Sequence, residues 1–293
     1  MKKIKFLGLL TAAALLASCS GDDDSVQRSD ITITSLTGLE RLGTNAEYQA
    51  WITVDGQDIS LGRFTDVNVP KSFSAPTSQI TSATKFKISV EKSTGDSPEI
   101  SNSIILSGTF GGNSASLNSK EGIGDFVGSS GVFTLQTPTD SNANNEQSGV
   151  YFFNATNGTA GLNLPTLPAG WKYEGWVTVP NASGEMKNLS TGKFTRTNTT
   201  DETSRFGGPL ADPNFPGEDF LDTGLLALAY NINVEPNLIS KRVFISIEPA
   251  DDNDLNTPFF LQPLSGTANN GVRPNINTMG LNTGSLPEGR VVY

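Results

Sequence analysis

The chain has 293 residues, a formal charge of −10, no histidine and a single cysteine. No internal disulfide or thiolate cluster can form, the commonest general base and metal ligand at neutral pH is missing, and the acidic balance argues against nucleic acid or anionic lipid headgroups as partners. Charged residues make up only 17%, and Ser, Thr, Asn and Gly surround regularly placed aromatic and β-branched residues, which suits a turn-rich β protein rather than a disordered one.

The first element is MKKIKFLGLLTAAALLASC. Three lysines precede an apolar stretch from Phe6 to Ala17, interrupted only by Thr11. This has the layout of a secretory leader and is shorter than the roughly 20 residues a bilayer span needs. Its end, Leu16-Ala17-Ser18-Cys19, resembles the bacterial lipobox. That resemblance implies removal of residues 1–18 and lipidation of Cys19, so a membrane anchor is the first expected partner. Residues 19–29 then read as an acidic, solvated tether. Its Cys-Ser-Gly-Asp-Asp-Asp start also resembles the export signal of Bacteroidetes-type lipoproteins, which implies the outer membrane and the cell surface.

Strands follow. Ile31 to Thr34 is the first candidate. YQAWITVDGQDISLGRFT, residues 48 to 65, places an Asp-Gly turn between two strand patterns. Tyr48, Ala50, Ile52 and Val54 share one face and read as core. Gln49, Trp51 and Thr53 share the other, so Trp51 is expected to be half covered or partly exposed. Two roles for it stand open, a plug at the sheet edge and an aromatic ligand platform. In KFKISVE, Phe86, Ile88 and Val90 form the buried face. Further strands are expected at Ile104 to Phe110, Val132 to Gln136 and Val150 to Asn154, with Gly-Gly at 111–112 and Asn-Gly at 157–158 as turns.

Residues 173 to 195, YEGWVTVPNASGEMKNLSTGKFT, repeat the pattern of the opening hairpin. Tyr48-x-x-Trp51 matches Tyr173-x-x-Trp176, and Gly62-Arg63-Phe64-Thr65 matches Gly192-Lys193-Phe194-Thr195. Ile88-Ser89-Val90-Glu91 matches Ile245-Ser246-Ile247-Glu248, and Leu106-Ser107-Gly108-Thr109 matches Leu264-Ser265-Gly266-Thr267. Blocks in the same order mean two copies of one domain. The expected fold class is therefore all-β, two tandem antiparallel β-sandwich (Ig-like) domains behind a lipoprotein signal peptide. The first is placed at 30–112, a linker at 113–130 and the second domain at 131–293. The second copy carries a Phe-rich insertion at 206–230, with a helical turn or two expected in TGLLALAY. That loop and the two tryptophans supply the candidate ligand-binding residues Trp51, Trp176, Phe215, Glu218, Asp219 and Phe220. The alternative for the loop is a flap that packs its phenylalanines on the sandwich.

The block series, LPTLPAGWKYEGWVTV, GKFT, FISIEPA and LSGT in the second copy, resembles the extracytoplasmic C-terminal domain of anti-sigma-K factors, the RskA-like family. The resemblance implies an envelope location. The family's cytoplasmic domain and membrane helix have no counterpart in this sequence, so direct sigma-factor binding is not carried over.

No catalytic constellation, cofactor fingerprint or metal site is expected. No G-x-S-x-G elbow or dinucleotide motif occurs, and a serine would lack its histidine partner. Glu218 and Asp219 are adjacent in sequence, which does not make a pair flanking a glycosidic bond. Asp252, Asp254 and Asn256 alternate as at the start of a calcium loop, but Thr257 stands where that loop has Gly and Pro263 where it has Glu. The function expected is a non-catalytic binding, adhesive or structural module facing a surface protein or glycan. A sensory part in envelope-stress regulation and a carboxylate-dependent glycan hydrolase are the alternatives.

Overall fold

The computed structural model describes residues 26–269 and 274–293. Cys19 and the acidic tether before residue 26 lie outside them. Among the described residues no helix is long and apolar enough to cross a membrane.

In chain order the strands are β1 (Arg28–Thr37), β2 (Ala46–Val54), β3 (Gln57–Phe64), β4 (Lys71–Pro76), β5 (Lys85–Lys92), β6 (Ile104–Thr109) and β7 (Ser114–Asn118). Then come β8 (Ser130–Leu135), β9 (Gly149–Tyr151), β10 (Phe153–Asn154), β11 (Thr159–Ala160), β12 (Leu162–Asn163), β13 (Trp171–Pro180) and β14 (Met186–Phe194). The last are β15 (Gly217–Asp219), β16 (Arg242–Pro249), β17 (Leu264–Thr267), β18 (Asn277–Leu281) and β19 (Glu288–Val292). The helices are α1 (Thr77–Thr81) and α2 (Thr223–Tyr230). The all-β reading holds, with two large antiparallel sheets that each curl into a nearly closed, sandwich-like barrel. In the first the strand order is β3-β2-β5-β6-β7-β19-β1-β4, in the second β14-β13-β16-β17-β18-β8-β9-β15.

The two orders superimpose element by element. The hairpins β2–β3 and β13–β14 correspond, and each carries a bulge, between Ala50 and Trp51 in one and between Gly175 and Trp176 in the other. Gly62 at φ 143° and Gly192 at φ 105° sit at those bulges, a backbone region that side chains rarely adopt. Asp55 and Gly56, both with positive φ, make the tight β2–β3 turn. Tyr48 donates its hydroxyl to the Glu40 carbonyl and Tyr173 donates to that of Pro165, both at 2.7 Å and both eight residues upstream. The alternation read from β2 is kept. Tyr48, Ala50 and Ile52 face Val90, Ile88 and Phe86 of β5, and all six are buried in the barrel core.

Three boundaries differ from the sequence reading. Strand β7 lies inside the segment expected to be a linker, and it pairs with β6 and β19. The end of the chain does not belong to the second sheet. Strand β19 fills the sixth place of the first barrel, antiparallel to both β1 and β7. In the second barrel the same place is filled by β8. Residues 206–230 are not a free insertion either. They contain β15 and α2, which stand where β4 and α1 stand in the first copy. Asp222 caps α2 by accepting from the Leu225 amide at 2.9 Å, and Asn231 ends it in a left-handed conformation. The added length lies mainly at 195–216 and 231–241, between elements that the first copy joins through 65–70 and 82–84.

Candidate functional site

The candidate site is on the outer face of the second barrel, where β13, β14 and β16 run side by side. A strand buries alternate residues in the core and turns the others outward. On these strands the outward residues are Glu174, Trp176, Ser190, Phe244, Ser246 and Glu248. All are nearly or fully removed from solvent, because the long connections fold back over them. Trp176 stacks on Phe244 with centroids 6.3 Å apart, and the Arg242 guanidinium lies 4.1 Å over the Phe244 ring. Such stacking satisfies a buried aromatic face and a cation at once.

A buried indole N–H needs an acceptor. Trp176 Nε1 donates to Ser246 Oγ at 2.8 Å, and that hydroxyl donates to Glu248 Oε1. The same oxygen accepts the Phe259 amide at 2.9 Å, which ties the β16–β17 connection to the sheet. The first barrel has the same chain of bonds. Trp51 Nε1 donates to Ser89 Oγ at 2.8 Å, Ser89 donates to Glu91 Oε1, and Ser101 N donates to that oxygen at 3.0 Å. Trp51 is only 2% exposed, so it is not the half-covered or partly exposed ring that its strand pattern suggested, and Trp176 is 0% exposed. Both indole N–H groups are taken by serine, and neither ring forms an open platform.

A depression of about 440 Å³ opens above this face, lined by Ser190, Thr203, Ser204, Arg205 and Leu255. Its volume falls within the roughly 300–1,000 Å³ of small-molecule sites. Ser190 donates to Glu174 Oε1 at 2.5 Å and accepts the Gly192 amide at 3.0 Å. Arg205 is held over the rings of Phe206 and Tyr230, at 5.0 and 5.9 Å from their centroids. Its Nη1 is buried without a hydrogen-bond partner. Tyr230 donates to the Leu255 carbonyl at 3.2 Å, so α2 also holds the rim.

Burial raises the carboxyls beneath the depression. Glu174 is pushed up to about 7 and Glu248 to about 8, chiefly because a charged carboxylate loses its hydration there. The Glu174 charge raises Glu248 further. One oxygen of each, Oε2, has no hydrogen-bond partner. A neutral carboxylic acid tolerates that better than a carboxylate does.

The other sequence candidates lie outside the depression's lining. Glu218 is buried, and its Oε2 accepts the amides of Arg205 and Phe206 at 2.5 and 3.2 Å. Asp219 Oδ2 accepts the Thr139 amide at 2.8 Å and the Thr139 hydroxyl. Burial pushes these two carboxyls up to about 8 and about 6. Glu218 fastens the 200–208 segment and Asp219 fastens Thr139, the alternation along β15 sending the two to opposite sides. Phe220 is fully buried against Phe206 at 5.9 Å. Phe215 is half-buried and stacks on Phe153 at 5.2 Å, away from the depression's lining. In the acidic turn, Asp252 Oδ1 accepts the Asp254 amide and Asp254 Oδ1 accepts that of Asn256, both at 2.9 Å. These side chains shape their own turn.

The lining residues were not singled out from the sequence. Arg205 stands immediately before the Phe-rich segment, and Glu174 was visible as the difference between YQAW and YEGW. No family model matches this chain, and neither a curated protein nor a solved structure does.

Proposed function

We propose that this protein is a non-catalytic binding module of the bacterial envelope, anchored through lipidated Cys19 and exposed at the cell surface. The depression over Ser190, Thr203, Ser204, Arg205 and Leu255 is its ligand site. The observation that carries this reading is the asymmetry between the copies. The barrels share their strand order, yet the connection that brings Thr203, Ser204 and Arg205 to the depression is long only in the second. Extra chain laid over a repeated scaffold is where new binding surfaces arise. Hydroxyls beside a guanidinium suit a polar ligand such as a surface glycan.

The buried carboxyls of the second barrel support a non-catalytic role toward the ligand. Glu218 and Asp219 are occupied by backbone amides, and Glu174 and Glu248 lie beneath the lining rather than in it. The resemblance to the extracytoplasmic part of anti-sigma-K factors fits the same place in the envelope. It brings no sigma-factor binding with it.

Two measurements test the proposal. A glycan array probed with the protein should give binding that Leu255→Trp, which fills the depression, abolishes. Binding that survives this change would move the site elsewhere. Anchoring predicts that Cys19→Ala loses palmitate labelling and leaves the membrane fraction. A variant still fully membrane-bound would overturn it.

A further inference from the structure

Lys193, on β14, is only 8% exposed. Its ammonium nitrogen lies 3.5 Å from Asp252 Oδ2 and 3.9 Å from Glu174 Oε2, and donates to the Asp252 carbonyl at 2.5 Å. Glu174 is fully buried, and that Oε2 has no hydrogen-bond partner. An amine, a carboxyl and a second, water-free carboxyl therefore converge at one point. Groups held this close react as if at very high concentration.

The first barrel supplies an internal comparison. The cross-strand pair Glu174 and Lys193 corresponds to Gln49 and Arg63. Arg63 also pairs with an acid of the β5–β6 connection, Asp96, as Lys193 does with Asp252 of the β16–β17 connection. Gln49 accepts from Arg63 Nε at 2.7 Å. That set makes an ordinary ion pair, because a guanidinium is a very poor nucleophile and an amide does not carry protons. The second barrel has replaced both members, giving an amine able to attack and an acid able to relay a proton.

We propose that Lys193 and Asp252 condense to an intramolecular amide, with Glu174 as the proton relay. The Lys193 ammonium first gives a proton to the Asp252 carboxylate. The freed nitrogen lone pair then forms the bond to Asp252 Cγ. The Cγ–hydroxyl bond breaks as Glu174 protonates the departing oxygen, and Glu174 recovers a proton from the nitrogen. An ammonium and a carboxylate thus become one amide and one water, with no oxidant, reductant or net change of charge. The bond fastens β14 to the β16–β17 connection that carries Leu255, locking one wall of the depression. It does not depend on what the depression binds.

Tryptic digestion and mass spectrometry of the purified full-length protein test this. The expected result is a branched peptide joining the Lys193 and Asp252 segments, lighter by one water than the two together, with no cleavage after Lys193. Lys193→Arg should abolish it while keeping the cation. Glu174→Gln should leave the linear peptides in a protein whose circular dichroism matches wild type. Linear peptides and full cleavage after Lys193 in wild type would overturn the proposal. So would the same loss of water in Lys193→Arg. A branched peptide that forms as fast in Glu174→Gln as in wild type would remove the relay.

Discussion

At the scale of single residues, the unusual feature is how many acids are buried. Glu174, Glu218, Glu248 and Asp219 are all essentially removed from solvent. Burial pushes them up to about 7, 8, 8 and 6. The direction of the resulting pH dependence follows from linkage. Unfolded, these groups release their protons near 4.5 for Glu and 3.8 for Asp. Folded, they hold them to higher pH, so the folded chain binds more protons across the interval between. Their contribution is fully present below the unfolded value and is lost as pH rises through the folded one. Each pH unit crossed with one such proton held only by the folded chain removes about 1.4 kcal/mol. Exposed Asp66, Asp125 and Glu185 are held low by neighbouring lysines and act in the opposite sense, below that interval. The midpoint of thermal unfolding is therefore expected to be higher at about pH 5 than at about pH 8, and Glu248→Gln should shrink the difference. A midpoint that rises toward pH 8 would mean that the buried carboxyls are ionised in the folded protein.

At the scale of elements, the two hairpins show how one local solution is used twice. A bulge at a positive-φ glycine bends each second strand, and the tryptophan beside it points away from the core. Outward would normally mean exposed. Here the β5–β6 and β16–β17 connections return to the sheet, each fixed by one backbone amide bonded to a buried glutamate. Each barrel therefore packs on both sides of its central strands. The Trp–Ser–Glu chain links the outer layer to the sheet and pairs the indole N–H groups of Trp51 and Trp176. The second copy then adds 195–216 above that layer, and the depression is the space between this addition, the β16–β17 connection and the sheet.

At the scale of the whole molecule, the chain closes on itself. The first barrel begins near the start of the described chain and is completed by β19 at its end. Tyr293 adds the last contacts, donating its amide to Asn113 O at 3.0 Å and packing edge-on against Phe110 at 5.2 Å. The barrels also touch directly. Ser103 Oγ donates to Gly170 O at 3.0 Å, and Phe126 meets Tyr173 edge to face at 6.5 Å. A side chain at Gly170 would collide with Asn102 O, 2.1 Å away, so the approach there requires glycine. Truncation before Glu288 leaves β1 and β7 each with an unpaired edge and opens the first barrel, while every strand of the second remains. The truncated chain should expose Trp51 to fluorescence quenching at a lower denaturant concentration than Trp171 and Trp176, each followed through single-Trp versions. Equal and unchanged protection of all three would show that β19 is dispensable.

The sequence by itself determined the β class, the repeated copies and the inward faces of their strands. Those are local properties: period two sorts side chains by face, and turns fall where Asp-Gly, Gly-Gly and Asn-Gly stand. It also showed the copy difference of Gln49 against Glu174, though not its meaning. Tertiary structure alone decided three things. It placed β19 in the first barrel, because strand pairing joins chain ends and hydrogen-bonds backbone, which every residue carries. It buried Trp51 and Trp176, because the cover comes from aperiodic connections that leave no pattern. And it set Glu218 and Asp219 against backbone amides while Ser190, Arg205 and Leu255 line the depression, because which neighbours a side chain meets depends on residues that are distant in the chain.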